Sequence, residues 1–142
     1  MSKSKRIEDI ATEGHSLMNS VVVNTAKEIG EAKLVFRWDE IMKERGISQK
    51  DLSLMTGMRT GTISEIVNGK GISINKVQLF ALMAALRVTD ISEIMEVRFP
   101  EEQKITYNYE ALQWKVNKKL PESVRELYKR NVLASTVDKE EG

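Results

Sequence analysis

The chain has 142 residues, with 22 basic against 21 acidic side chains, one histidine, no cysteine and two prolines. That is one domain's worth of chain with appendages, and the lack of cysteine excludes disulfides, thiolate metal sites, iron–sulfur clusters and cysteine nucleophiles. A net charge of +1 gives no global sign of a polyanionic partner, so any nucleic-acid-binding face must be found locally.

No window approaches the roughly 18 uninterrupted apolar residues of a membrane helix. No apolar run follows the basic start Lys3–Arg6 either, so a soluble, cytoplasmic protein without a secretory signal is expected. The single imidazole, His15, sits in a polar stretch and reads as an ordinary surface residue.

In chain order, residues 1–33 read as an N-terminal helical arm whose first five residues fray. Met18, Val22, Thr25, Ile29, Ala32 and Phe36 recur at alternating spacings of four and three, a short heptad-like seam. One amphipathic helix docking on its own domain and a helix pairing with a second subunit both fit. Thr25 and Ala32 are weak seam residues, and Gly30 interrupts the run.

Residues 34–97 carry short helical patterns separated by turn chemistry. A helix over Phe36–Arg45 places Trp38, Ile41 and Met42 on one face and ends at Gly46. Ser48-Gln-Lys-Asp51 is a capping-box variant that opens a second helix, with Leu52 and Met55 facing inward until Gly57. A third, from about Thr60, buries Ile63, Ile66 and Val67 and stops at Asn68-Gly69. A fourth buries Val77, Phe80, Met83 and Leu86, and a short fifth runs around Ile91–Met95. The pattern predicts an all-α, compact five-helix domain.

Residues 98–142 form a mostly helical C-terminal extension. Pro100, Glu101 and Glu102 read as a linker. Over 105–117 the alternation of Ile105, Tyr107 and Tyr109 suits a strand, whereas Tyr109, Leu112 and Val116 suit a helix, and periodicity does not arbitrate. Pro121 followed by Val124, Leu127 and Tyr128 predicts a closing helix to about Asn131, before a fraying acidic tail.

The most informative stretch runs from Ile47 to Lys70. Ser48-Gln49 opens one helix, Gly57 occupies a turn, Thr62-Ile63-Ser64 lies in the next helix, and Asn68-Gly69-Lys70 closes it. These pieces at these separations resemble the helix-turn-helix of Cro/CI-type (XRE family) DNA-binding transcriptional regulators, over about Phe36–Val97. The resemblance implies base-edge readers at Thr60, Gly61 and Glu65, with Arg59 and Ser64 at the margin of the groove. It implies phosphate contacts around the opening of the scaffold helix at Ser48, Gln49 and Lys50, and at Thr62, Asn68 and Lys70.

The sequence departs from that family pattern at three places. Gly61 offers no side chain where a reader is expected, so specificity leans on Arg59, Thr60, Glu65 or DNA shape. Glu65 either accepts from a cytosine amino group or pairs with a neighbouring base such as Arg59. Many family members bury an Arg–Glu pair at the positions of Met42 and Val67. Both are apolar here, which leaves no orphan charge.

Counted locally, Leu34–Val88 holds eight basic against five acidic residues, and Lys115–Arg130 six against two. The second block reads either as a flanking phosphate clamp or as a solvated face with Glu122 and Glu126 as partners. Asn68-Gly-Lys-Gly71 lacks the upstream glycine and following Ser or Thr of a phosphate loop. No catalytic constellation, metal site or cofactor is expected, and the seven methionines read as core filler.

The expected protein is a sequence-specific double-stranded DNA-binding regulator, a repressor acting as a homodimer on a pseudo-palindromic operator. The alternative is an antitoxin-like or assembly protein whose arms grip a protein partner. Neither reading involves a membrane.

Overall fold

The computed structural model describes residues 3–13, 19–69 and 74–141, with side chains from Ser4 to Ala134 among them. His15, Met18 and Lys70 lie outside the described residues. The chain divides into two compact units, Met1–Arg6 with Lys33–Arg98, and Ile7–Ala32 with Phe99–Gly142. The fold is mostly helical, as the sequence predicts, with one small sheet that periodicity does not reveal.

In the first unit, strand β1 (Lys3–Arg6), β2 (Lys33–Phe36) and β3 (Met95–Arg98) form an antiparallel sheet in that order. Lys33 is opposite Arg6 on one side and Arg98 on the other, while Phe36 is opposite Lys3 and Met95. The middle strand buries Val35. Just after it, the Arg37 amide donates to the Ile94 carbonyl at 2.7 Å, and its guanidinium donates to the Ser92 carbonyl and pairs with Glu96. Glu96 also accepts from Arg98 Nε at 2.5 Å. That hydrogen bond, with the Arg37 charge behind it, holds the Glu96 carboxyl below its ordinary range.

Between β2 and β3 come α3 (Trp38–Glu44), α4 (Gln49–Thr56), α5 (Thr60–Val67) and α6 (Lys76–Leu86), preceded in the chain by α1 (Ile7–Glu13) and α2 (Ser20–Ala26) of the second unit. Trp38, Ile41, Met42, Leu52, Ile63, Val67, Leu82, Leu86, Val88 and Ile94 make one core, with no charged or polar residue buried in it among the described residues. Met42 and Val67 both belong to this core, so the expected apolar replacement of an ion pair is realised in packing.

Several features differ from the sequence reading. The helix α6 buries Leu86 as expected, but turns Val77 and Phe80 outward, 76% and 62% exposed, and buries Leu82 in their place. Its stretch from Val77 to Leu86 is apolar nearly all round, so the pattern carries no direction. Met55 is likewise 48% exposed, leaving Leu52 as the inward residue of α4. The fifth helix is a single 3₁₀ turn, Ile91–Glu93, because the chain must straighten at once into β3. And the heptad-like seam has no continuous helix to sit on: α2 ends at Ala26, a 3₁₀ turn covers Lys27–Ile29, and Phe36 lies in β2.

In the second unit, the first amides of α1 donate to main-chain carbonyls, Ile7 to Ala32 at 2.8 Å and Glu8 to Gly30 at 3.2 Å. A Cβ on Gly30 would stand 3.0 Å from the Lys27 carbonyl oxygen and 3.1 Å from Glu8 Cβ, which explains a glycine at this close approach. The range 105–117 is helical, within α7 (Glu101–Asn117), so Pro100 and the two glutamates open a helix instead of forming a linker. The closing helix α8 (Glu122–Glu141) runs past Asn131. Gln103 donates to the Glu28 carbonyl, Arg130 pairs with Glu28, and Asn131 donates to Thr25 Oγ1 at 3.0 Å. The helices α7 and α8 flank a cleft of about 900 Å³ lined by Tyr107, Trp114, Val124 and Leu127. No helix among the described residues is long and apolar enough to cross a membrane.

Candidate nucleic-acid interface

The α4–turn–α5 pair is built from local hydrogen bonds before any packing is considered. Ser48 caps α4: its hydroxyl accepts from the Asp51 amide at 3.1 Å, while Asp51 Oδ2 accepts from the Ser48 amide at 2.9 Å. Those bonds, with Ser48 backbone and side chain as the partners, depress the Asp51 carboxyl below its usual value. The predicted capping box is therefore present, and the Ser48 hydroxyl keeps its own hydrogen free to donate outward.

The turn is fixed by Gly57 at φ +81°, whose amide closes onto the Ser53 carbonyl at 2.8 Å. Two hydroxyls reinforce it. Ser53 donates to the Met58 carbonyl, and Thr56 Oγ1 donates to the Leu52 carbonyl while accepting the Met58 amide at 3.1 Å. The sequence reading did not assign this role to Ser53 and Thr56; their place in the last helical turn before a left-handed glycine was the available signal.

Across the turn, Leu52 of α4 and Ile63 of α5 are both fully buried. With Val67 also inside, 3.6 residues per turn put Gly61, Ser64, Glu65 and Asn68 on the opposite face of α5. Arg59, Thr60, Gly61 and Glu65 are exposed, and Thr62, Ser64 and Asn68 are half-buried. Asn68 Nδ2 donates to Ser64 Oγ at 3.1 Å, joining two of these polar groups along the helix. Arg59 stands at the N-cap in extended conformation and makes no side-chain cap bond, so no capping side chain occupies the first amides of α5. Nothing lies within 4 Å of the place a Gly61 Cβ would occupy.

On α4, Gln49 is half-buried and Lys50 exposed. Among the described residues neither Arg59, Lys50 nor Glu65 forms an ion pair, so the expected Arg59–Glu65 alternative is not what the structure contains. The α8 part of the second basic block behaves differently. Arg125 lies 3.8 Å from Glu122, Lys129 lies 3.8 Å from Glu126, and Arg130 pairs with Glu28. These are solvated pairs, not a waiting phosphate clamp.

An outward polar helix face with uncapped N-terminal amides, locked at a steep turn to a capped scaffold helix, is suited to entering a nucleic-acid groove. Residues 37–100 match the family model of the Cro/C1-type HTH DNA-binding domain. No curated protein and no solved structure matches the chain. From Arg37 to Pro100 the chain thus carries a Cro/C1-type helix-turn-helix DNA-binding domain.

Proposed function

We propose that this protein is a sequence-specific transcriptional regulator, a repressor that binds a pseudo-palindromic double-stranded operator as a homodimer. The observation that carries the reading is the outward face of α5, where Arg59, Thr60, Gly61 and Glu65 are exposed opposite the buried Ile63 and Val67, with no ion pair to Arg59 or Glu65 among the described residues. In this reading α5 enters the major groove. Arg59, Thr60, Ser64 and Glu65 address base edges, and Gly61 lets the backbone come close. Ser48, Gln49, Lys50, Thr62, Asn68 and Lys70 hold phosphates, with the first amides of α5 adding to them. Two copies would set their recognition helices about 34 Å apart, one turn of B-DNA.

The near-neutral charge balance of the chain makes nonspecific affinity modest, and binding falls with salt. Genomic footprinting followed by gel shifts on the recovered site tests the assignment. Arg59→Ala and Thr60→Ala should each weaken specific binding by about 1–3 kcal/mol. If neither does, α5 is not the reading helix.

A second reading, an antitoxin-like or assembly protein, draws support from the apolar side chains left exposed on α7. Stoichiometric co-purification of another protein, with no salt-dependent DNA affinity, would favour it.

A further inference from the structure

The helix α7 buries no residue. Its 17 residues give a helix of about 25 Å, and helices in proteins draw most of their stability from a packed amphipathic face. Yet one face is strongly apolar. Ile105, Tyr109, Leu112 and Val116 are 61%, 64%, 57% and 72% exposed. They recur at spacings of four, three and four, the seam of a two-stranded coiled coil. The opposite side of the helix, with Gln103 and Glu110 half-buried, is turned to its own unit, where Gln103 meets Glu28 and Glu110 meets Ser123.

We infer that α7 pairs antiparallel with α7 of a second copy of this chain, making the Ile105–Val116 stripe the homodimer interface. The inference deepens the homodimer proposed above and rests on it. Charge selects both the occupant and the direction. Glu101 and Glu102 open the helix, Lys115 lies in its last turn, and Lys118 and Lys119 follow directly. Among the described residues none of these five is in an ion pair. Antiparallel pairing about a two-fold axis sets Tyr109 against Leu112 of the other copy, Ile105 against Val116, and the acidic end against the basic end. Parallel pairing would set like charges together at both ends.

The exposed Val77 and Phe80 on α6 make a weaker self-pairing face. That helix has Lys76 at its start and Arg87 just past its end, with no acid between them, so two copies would repel in either direction.

The test is sedimentation equilibrium of the full chain with and without operator DNA. Leu112→Glu should raise the dimer dissociation constant by ~100-fold or more while leaving the far-ultraviolet dichroism intact, since Leu112 is mostly exposed within its own copy. Reversing Glu101 and Glu102 to lysine should weaken the dimer. Adding Lys115→Glu, Lys118→Glu and Lys119→Glu should restore it.

The absence of cysteine from the chain allows a directional test. Ile105→Cys mixed with Val116→Cys should cross-link across the interface, and neither variant should cross-link with itself. Self-linking of either variant overturns the antiparallel arrangement. A dimer indifferent to Leu112→Glu, or lost on Phe80→Glu instead, overturns this surface and leaves the homodimer standing. A chain that stays monomeric alone and on DNA overturns both.

Discussion

Arg45, just past the end of α3, donates its Nε hydrogen to the main-chain carbonyl of Leu86 at the end of α6, 2.8 Å away. A charged donor thereby satisfies a carbonyl that the α-helical ladder leaves open and joins two helix C-termini 41 positions apart in sequence. Replacing Arg45 by Met keeps much of the aliphatic stem and removes the donor. The expected loss is about 1 kcal/mol, read as a lower urea midpoint at unchanged slope. Arg45→Lys should fall between the two, because an ammonium lacks the fixed direction of the guanidinium. An unshifted midpoint for the Met variant would show that water serves Leu86 equally well.

Glycines 57 and 61 separate stability from recognition. At Gly57 the backbone is left-handed, so Gly57→Ala should destabilise by roughly 1 kcal/mol although open space surrounds the site. Gly61 lies inside α5 with equally open surroundings, so Gly61→Ala should stabilise by about 0.5 kcal/mol on thermal melting. The same methyl should weaken DNA binding if the backbone there approaches the duplex closely. Unaltered affinity with raised melting temperature would mean that position 61 lies away from the DNA.

Acid should loosen the DNA-binding unit in a defined window. Asp51 is held down by its bonds to Ser48, Asp90 by its bonds to Ser92, and Glu96 by Arg98 and Arg37. Each folded value lies below the unfolded one, so the associated stability is complete above the ordinary carboxylate range. It is lost as pH falls through and below about 4. Melting temperature measured from pH 7 down to pH 3 should show that loss, and Asp51→Asn should flatten part of it. Ser48→Ala removes the hydroxyl half of the cap and should cost about 1 kcal/mol at neutral pH. A pH profile unaltered by Asp51→Asn would assign the acid sensitivity elsewhere.

The helix-turn-helix was legible because its signals are local. A capping serine, a left-handed glycine and the buried pair Leu52 and Ile63 each act within a few residues. The face of α6 was not legible, because a helix apolar on nearly every side gives periodicity nothing to choose between, and Phe80 reads as well as Leu82 until tertiary packing decides. The sheet was hidden for another reason: Lys3–Arg6 is wholly polar, and its pairing with β2 reaches across about thirty positions. The outward groups of α5 were anticipated by resemblance, whereas the hydroxyl lock of Ser53 and Thr56 depends on turn geometry that no spacing rule supplies.

The sheet has a consequence for how the DNA-binding unit is wired to the rest of the chain. Arg6, Lys33 and Arg98 stand side by side in register across the three strands. The chain leaves after Arg6, returns at Lys33 and leaves again after Arg98, all at one corner. The unit is therefore a plug-in module with a single port. Every covalent connection from the remaining residues enters at that corner, so α5 has no direct chain link to them, and the module can be excised or transplanted only if Lys3–Arg6 travels with it.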